Sequence, residues 1–328
     1  MKEKLKRFWV ENRFYLLFVL IVMVLANYRL PYYVSSPGGV IDISDRIKYD
    51  KLEDYDGSLN MLYVTQMEAT IPIYLMSYVI RDWDLESIQE NQISNEDHDE
   101  IDKRNKILLN NSINNATYVA YKAANKKVEI KSKKTYVVGT LFDVDLKIGD
   151  ELLQLNGIDI ESLDTIKKVI DESNIGDSLE FKISRDNKIK KVKVKVEESD
   201  DQKVIGIVLT TNYDYSIDPE IELTFKRSES GSSGGLMMAL SIYSAISGED
   251  ILKGRNIAGT GTIDILGNVG EIGGIKYKIM GAVKNNMDVV LVPSANYEEA
   301  KRVVEERKYD IELVEIKNFN DAIEYLSK

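Results

Sequence analysis

The chain has no cysteine and one histidine in 328 residues. The first absence excludes disulfides, thiol nucleophiles and cysteine-ligated zinc or iron–sulfur centres. The second leaves no His-rich metal site and no histidine-centred triad. His98 lies in Asn95-Glu96-Asp97-His98-Asp99-Glu100, which reads as solvated loop, and is given no catalytic role. Positive charge is also short: 43 Lys and Arg face 54 Asp and Glu, a net charge of −11. Nucleic-acid phosphates need a cationic face, so no nucleic-acid partner is expected. No Gly-x-x-x-x-Gly-Lys-Ser/Thr loop occurs, so no P-loop motor is expected within the chain, and no metal or cofactor is called for. With 44% hydrophobic and 30% charged residues, the balance is that of a globular protein, and the length suggests more than one folding unit.

Phe14 to Ala26 is an unbroken apolar run preceded by Lys2, Lys4, Lys6, Arg7 and Arg13. Thirteen residues are short for a span, which wants about 20. The aromatic stretch through Tyr28, Tyr32, Tyr33 and Val34 supplies the rest, and Trp9 and Tyr15 suit the inner interface. A cleaved signal peptide also fits the charged start and short apolar core, but bulky Tyr, Arg and Leu follow where a small-x-small cleavage site would stand. The expectation is a basic cytoplasmic segment at 1–13, a retained transmembrane anchor at 14–34 and the remaining chain outside.

Residues 35–127 mix strand and helix: a strand at Leu59–Gln66, a helix from Pro72, an exposed loop over 86–100 and a long helix over about 100–124, the first strand and the long helix being candidates to share a core with residues 201–328 around an inserted unit. Residues 128–200 read as a compact β-rich unit. Asn156-Gly157 marks a turn between strands, Ser162 is placed to cap a short helix through Ser173, and strands follow at Ser178–Ile183 and Lys190–Val196. Residues 201–328 carry the chemistry. Gly231-Ser232-Ser233-Gly234-Gly235 precedes a helix over Leu236–Ile246 that ends at Gly248. The glycines free the backbone, and the helix mouth suits an oxyanion or a phosphate equally. A serine there is also a common cap. Two strands joined at Leu266-Gly267-Asn268 then deliver Gly273-Gly274-Ile275-Lys276.

The stretch Lys147-Ile148-Gly149-Asp150-Glu151-Leu152-Leu153-Gln154-Leu155-Asn156-Gly157 resembles bacterial PDZ domains, which bind extended peptides, usually chain ends, at a sheet edge. GSSGGLM (231–237), TGTIDILGNVGEIGGIK (260–276) and VVLVPSAN (289–296) closely resemble the proteolytic domain of Lon-type peptidases. Taken with the anchor, the whole is similar to membrane-anchored PDZ–Lon peptidases of bacteria. The fold class implied is an α/β (α+β) Lon-type domain, a small β-rich PDZ-like domain and an N-terminal transmembrane helix.

That resemblance implies Ser233 as nucleophile, Lys276 as general base, Thr260 as a supporting residue near the lysine, and Gly231, Ser232 and Gly234 around the oxyanion. It places Lys278 in solvent. Where the family usually has proline and alanine on either side of the serine, this chain has Ser232 and Gly234. A lysine needs its pKa lowered from about 10.4 to act as a base at neutral pH, and Ile272, Ile275 and Ile279 are positioned to supply apolar surroundings. The activity implied is an ATP-independent, membrane-tethered serine endopeptidase acting on unfolded or extended protein substrates presented in part by the PDZ-like unit, with homo-oligomers in keeping with the family. The alternatives are a tethered peptide-binding scaffold with an inert peptidase domain, and a small-molecule kinase using the glycine-rich loop.

Overall fold

The computed structural model describes residues 2–53, 55–88, 96–199 and 201–328. The chain forms two compact units, one of Met1–Pro37 with Val64–Asn91 and the other of Gly38–Tyr63 with Gln92–Lys328. In chain order, α1 (Lys2–Asn27), β1 (Arg29–Asp42), β2 (Ile47–Lys48), β3 (Ser58–Thr70), α2 (Ile71–Ser77), β4 (Asp84–Ser87) and α3 (His98–Ala123) come first.

The smaller unit holds α1, α2, β4 and the outer ends of β1 and β3. Trp9–Asn27 of α1 is 19 residues long, apolar and unburied, enough to cross a membrane; at 1.5 Å per residue that is about 28 Å. The anchor expected at 14–34 overlaps this helix without sharing its bounds. The helix begins earlier and stops at Asn27, and residues from Arg29 onward are strand. Pro31 cannot donate to a helical ladder, and the aromatic and β-branched run Tyr32-Tyr33-Val34 favours a pleated segment. Here β1 pairs antiparallel with β4, from Tyr32 opposite Ser87 to Ser35 opposite Asp84, and Arg29 pairs with Glu68 at 2.8 Å. The 86–100 stretch is thus not simply a loop. Ser87 ends β4, and His98 opens α3 behind an Asp97 cap whose carboxylate accepts from Glu100 N–H. Residues 89–95 of that stretch lie outside the described residues.

The larger unit continues with β5 (Lys127–Thr140), β6 (Glu151–Leu155), β7 (Ile158–Asp159), α4 (Leu163–Glu172), β8 (Ser178–Arg185), β9 (Lys188–Lys195), β10 (Glu197–Ser199), β11 (Gln202–Val204), β12 (Ile207–Asp218) and β13 (Glu222–Leu223). It ends with α5 (Gly235–Ser247), β14 (Asn256–Gly259), β15 (Thr262–Ile263), β16 (Val269–Gly270), α6 (Ile275–Lys284), β17 (Val289–Pro293), α7 (Ser294–Arg307), β18 (Glu312–Ile316) and α8 (Phe319–Ser327). Its main sheet runs β18-β17-β14-β3, with residues 38–42 of β1 beyond β3. The strands β14, β17 and β18 are parallel, and β3 joins them in parallel with Met61 opposite Gly259. Runs such as Val289-Val290-Leu291-Val292 are apolar on both faces because this sheet is covered on both faces. α3 packs on α5 over one shared core.

Beside α3, β5 and β12 pair as a long antiparallel ribbon from Lys127 opposite Asp218 to Thr140 opposite Ile207. The β-rich module is strung between them: sheet β12-β5-β6-β8-β9 around buried Leu146, Leu155, Phe181 and Ile183. A boundary at 200/201 would cut β12 away from this sheet and β11 away from its partner β10, although Ile205, Ile207 and Leu209 pack into the module's core. Asn156 (φ 50°) and Gly157 (φ 82°) form the expected turn. Ser162 precedes α4 but makes no side-chain cap bond. Asp150 is fully buried, held by Lys147 N–H at 2.8 Å and by Arg185 at 2.6 and 2.7 Å, so the Gly-Asp step is a structural clasp.

Candidate active site

The nucleophile loop is shaped from both ends. Gly231 takes φ 90°, a conformation that favours glycine, and its N–H donates to Asn105 O of α3 at 3.0 Å. That amide is therefore engaged, and Gly231 supplies the turn. Ser232 O accepts from Ser112 Oγ of α3 at 3.0 Å. A Cβ on Gly234 would stand 1.9 Å from Met61 Sδ, and one on Gly235 would stand 2.7 Å from Ser112 Oγ. Ser233 precedes Gly234, the N-cap of α5. Among the described residues the amides of Ser232, Ser233 and Gly234 find no acceptor. Three donors at the positive end of a helix are thus free for an anionic oxygen.

The other half of the site is α6. Gly274, left-handed at φ 68°, turns the chain into it. Ile275, Lys278, Ile279 and Ala282 follow at i, i+3, i+4 and i+7 and are all buried. Lys278 is 2% exposed and has no carboxylate partner among the described residues. Its Nζ donates to Thr260 Oγ1 at 2.9 Å. Thr260 Oγ1 in turn donates to Ser233 O at 3.0 Å, and Gly261 N–H donates to the same carbonyl at 2.7 Å. Burial alone pushes the Lys278 ammonium down from 10.5 to about 7, because an unpaired charge is costly away from water. At neutral pH about half of such side chains carry a free amine, against about one in a thousand for an ordinary lysine.

Lys276 is the base expected from sequence, with Lys278 in solvent; the structure reverses their burial. Residues two apart on a helix point about 200° apart, so only one of the pair can face the core. Lys276 is half-buried, its Nζ 5.2 Å from the Tyr277 ring centroid. The structure brings Thr260 and the Ser233 backbone to Lys278. The signal that would have found it is the apolar stripe on which it sits, which includes two of the isoleucines expected to surround the base.

A serine loop with free amides is thus joined through a buried threonine to a buried lysine, and an inserted β-rich module accompanies it. Comparison with known proteins gives each part its class: residues 227–327 match the Lon protease (S16) C-terminal proteolytic domain, and residues 139–196 match the PDZ domain. The chain carries both. Over 98 residues it is 34% identical to a Lon protease of Mesomycoplasma hyopneumoniae, covering 30% of this chain and 11% of that one. A Campylobacter jejuni Lon protease is 33% identical over 96 residues (29% and 12%), and Lon protease 2 of Borreliella burgdorferi is 29% identical over 119 residues (35% and 15%). The chain thus spans 11–15% of the length of these relatives. Among solved structures, the PDZ domain of an SdrC-like protein from Listeria monocytogenes is 22% identical over 25% of this chain and 92% of its own, with a TM-score of 0.22.

Proposed function

We propose that this protein is a serine endopeptidase in which Ser233 is the nucleophile and Lys278 the general base. The observation that carries this is the buried, unpaired Lys278 bonded through Thr260 to the nucleophile loop. The neutral Lys278 amine takes the Ser233 hydroxyl proton as Oγ attacks the scissile carbonyl. The carbonyl oxygen becomes an alkoxide among the amides of residues 232–234. On collapse, the lysine ammonium returns the proton to the leaving amine, and an acyl-Ser233 remains. Water, deprotonated by the same amine, releases the acid and restores the serine. Thr260 is a positioning residue, since its hydroxyl holds Nζ and the Ser233 carbonyl at once.

The chain is tethered to a membrane by α1, with its N-terminus cytoplasmic and its catalytic domain on the far side, in accord with the basic residues before the apolar run. It cleaves without nucleotide, and its substrates are unfolded or extended chains presented in part by the PDZ domain. Casein cleavage by the full chain, without nucleotide, tests the assignment. Ser233→Ala and Lys278→Met should each abolish cleavage, while Ser232→Ala and Lys276→Met retain it within a few-fold. Cleavage surviving Lys278→Met, or lost equally in Lys276→Met, removes Lys278 as the base.

A further inference from the structure

The smaller unit carries a feature that catalysis does not use. From Ile71 to Ile80 the chain reads Ile-Pro-Ile-Tyr-Leu-Met-Ser-Tyr-Val-Ile, ten residues without a charge. α2 occupies most of it, and its last turn continues through Val79 N–H and Ile80 N–H, both donating to Met76 O. Pro72, Leu75, Met76 and Val79 lie at i, i+3, i+4 and i+7, the stripe a helix uses to bury one face. Here that stripe points outward: Leu75 is 60% exposed and Val79 84%. Tyr78 beside it is 70% exposed.

The position of α2 says what covers it. Its backbone comes within 8 Å of α1, Cα to Cα. The Tyr74 ring lies 5.6 Å from the ring of Tyr32, and Tyr32 stands five residues beyond Asn27, at most about 17 Å along an extended chain. So α2 lies against the end of α1 where the chain leaves the apolar span. A segment there, within one helix diameter of a bilayer-crossing helix, is at the depth of the lipid headgroups. Its edges match that layer. Tyr28, Tyr74 and Tyr78 are residues that favour the membrane–water boundary, and Arg81, its side chain 85% exposed and 3.8 Å from the Asp82 carboxylate, is the first charge after the uncharged stretch.

We propose that α2 is an interfacial paddle whose Pro72–Leu75–Met76–Val79 face inserts into the headgroup layer of the bilayer that α1 crosses, on the side where the chain emerges. The proposal rests on the tethering reading above. A phospholipid surface is favoured over a protein partner because the stripe lies beside a helix whose own apolar span is wholly unburied.

The chain's lack of cysteine permits single probes. Leu75→Cys, Val79→Cys, Leu20→Cys in α1 and Ile189→Cys in the exposed β8–β9 hairpin are each labelled with an environment-sensitive fluorophore. The full-length protein is reconstituted in phosphatidylethanolamine–phosphatidylglycerol vesicles, with nitroxide either on the headgroup or deep in the acyl chain. Unchanged thermal unfolding shows that each variant is folded. Expected are deep quenching at Leu20, and blue-shifted emission with several-fold stronger headgroup quenching at Leu75 and Val79 than at Ile189. If Leu20 is not quenched, tethering fails and the paddle with it. If Leu20 is quenched but Leu75 and Val79 behave like Ile189, the paddle alone is overturned. A blue shift without lipid quenching means that protein, such as a second copy, covers the face, and also overturns it.

Discussion

Replacing Lys278 by methionine should make the protein more stable and less active at once. Folding lowers the Lys278 pKa from 10.5 to about 7 because the ammonium is desolvated. The unfolded chain holds this proton up to about pH 10.5 and the folded chain only below about pH 7. Between those values the folded state binds fewer protons, so stability rises with pH; below about 7 the whole penalty is present. At 1.36 kcal/mol per tenfold, that penalty is about 5 kcal/mol at pH 6, about 4 at pH 7 and near zero by pH 10.5. Methionine has similar length and no charge, so the variant escapes it, while losing the bond to Thr260 costs about 1 kcal/mol. A net gain of about 3 kcal/mol at pH 7 corresponds to about 6–12 °C in Tm for a domain of this size. Thermal unfolding of the purified full chain in detergent, from pH 6 to 10.5, measures it, with half-buried Lys276→Met as the control expected within about 0.5 kcal/mol of wild type. A Lys278→Met variant less stable than wild type at pH 7, or a difference that does not shrink toward pH 10.5, would refute the desolvated lysine.

The same group sets the pH profile of cleavage. Below about pH 7 the rate should fall about tenfold per pH unit and above it level off; a limb centred near pH 10 would count against Lys278. Thr260→Val, equal in shape, removes the acceptor for Nζ and the donor to Ser233 O. A loss of about 1–3 kcal/mol, or about 10- to 100-fold in kcat, should come with a displaced pH limb, which a merely structural role would not give. At Gly231 no atom lies within 4 Å of an added Cβ, so Gly231→Ala meets only the strain of its left-handed backbone, about 1–2 kcal/mol, and should slow cleavage while lowering Tm by about 2–8 °C. Asp150→Ala strands Arg185 and should destabilise the PDZ domain by about 3 kcal/mol, seen as early melting of that domain in calorimetry.

Local patterns were legible where one short segment decides the structure. The stop at Gly248, the Asn156-Gly157 turn and the hairpin at Leu266–Asn268 each follow from a backbone preference of the residues themselves. The burial of Lys276 against Lys278 was not legible in the same way. Motif position put Lys276 at the end of a turn, but Ile275 already begins α6, and once the helix starts there its period decides which lysine is buried. The place of β3 beside β14, and of α3 behind the nucleophile loop, depends on pairings across about 200 and 120 residues that no local pattern encodes. The ribbon of β5 and β12 likewise carries the domain boundary past residue 200, because its partner strand lies some 80 residues upstream.

That ribbon also makes the PDZ domain removable. Thr140 and Ile207 are cross-strand partners, so the points where the module leaves and rejoins the core sit about 5 Å apart. A gap of that size is what a two-residue turn closes. Seen from the catalytic core, everything from Leu141 to Gly206 is the elaborated tip of a hairpin, and a different tip, or a bare turn, can be written in its place without moving the strands below.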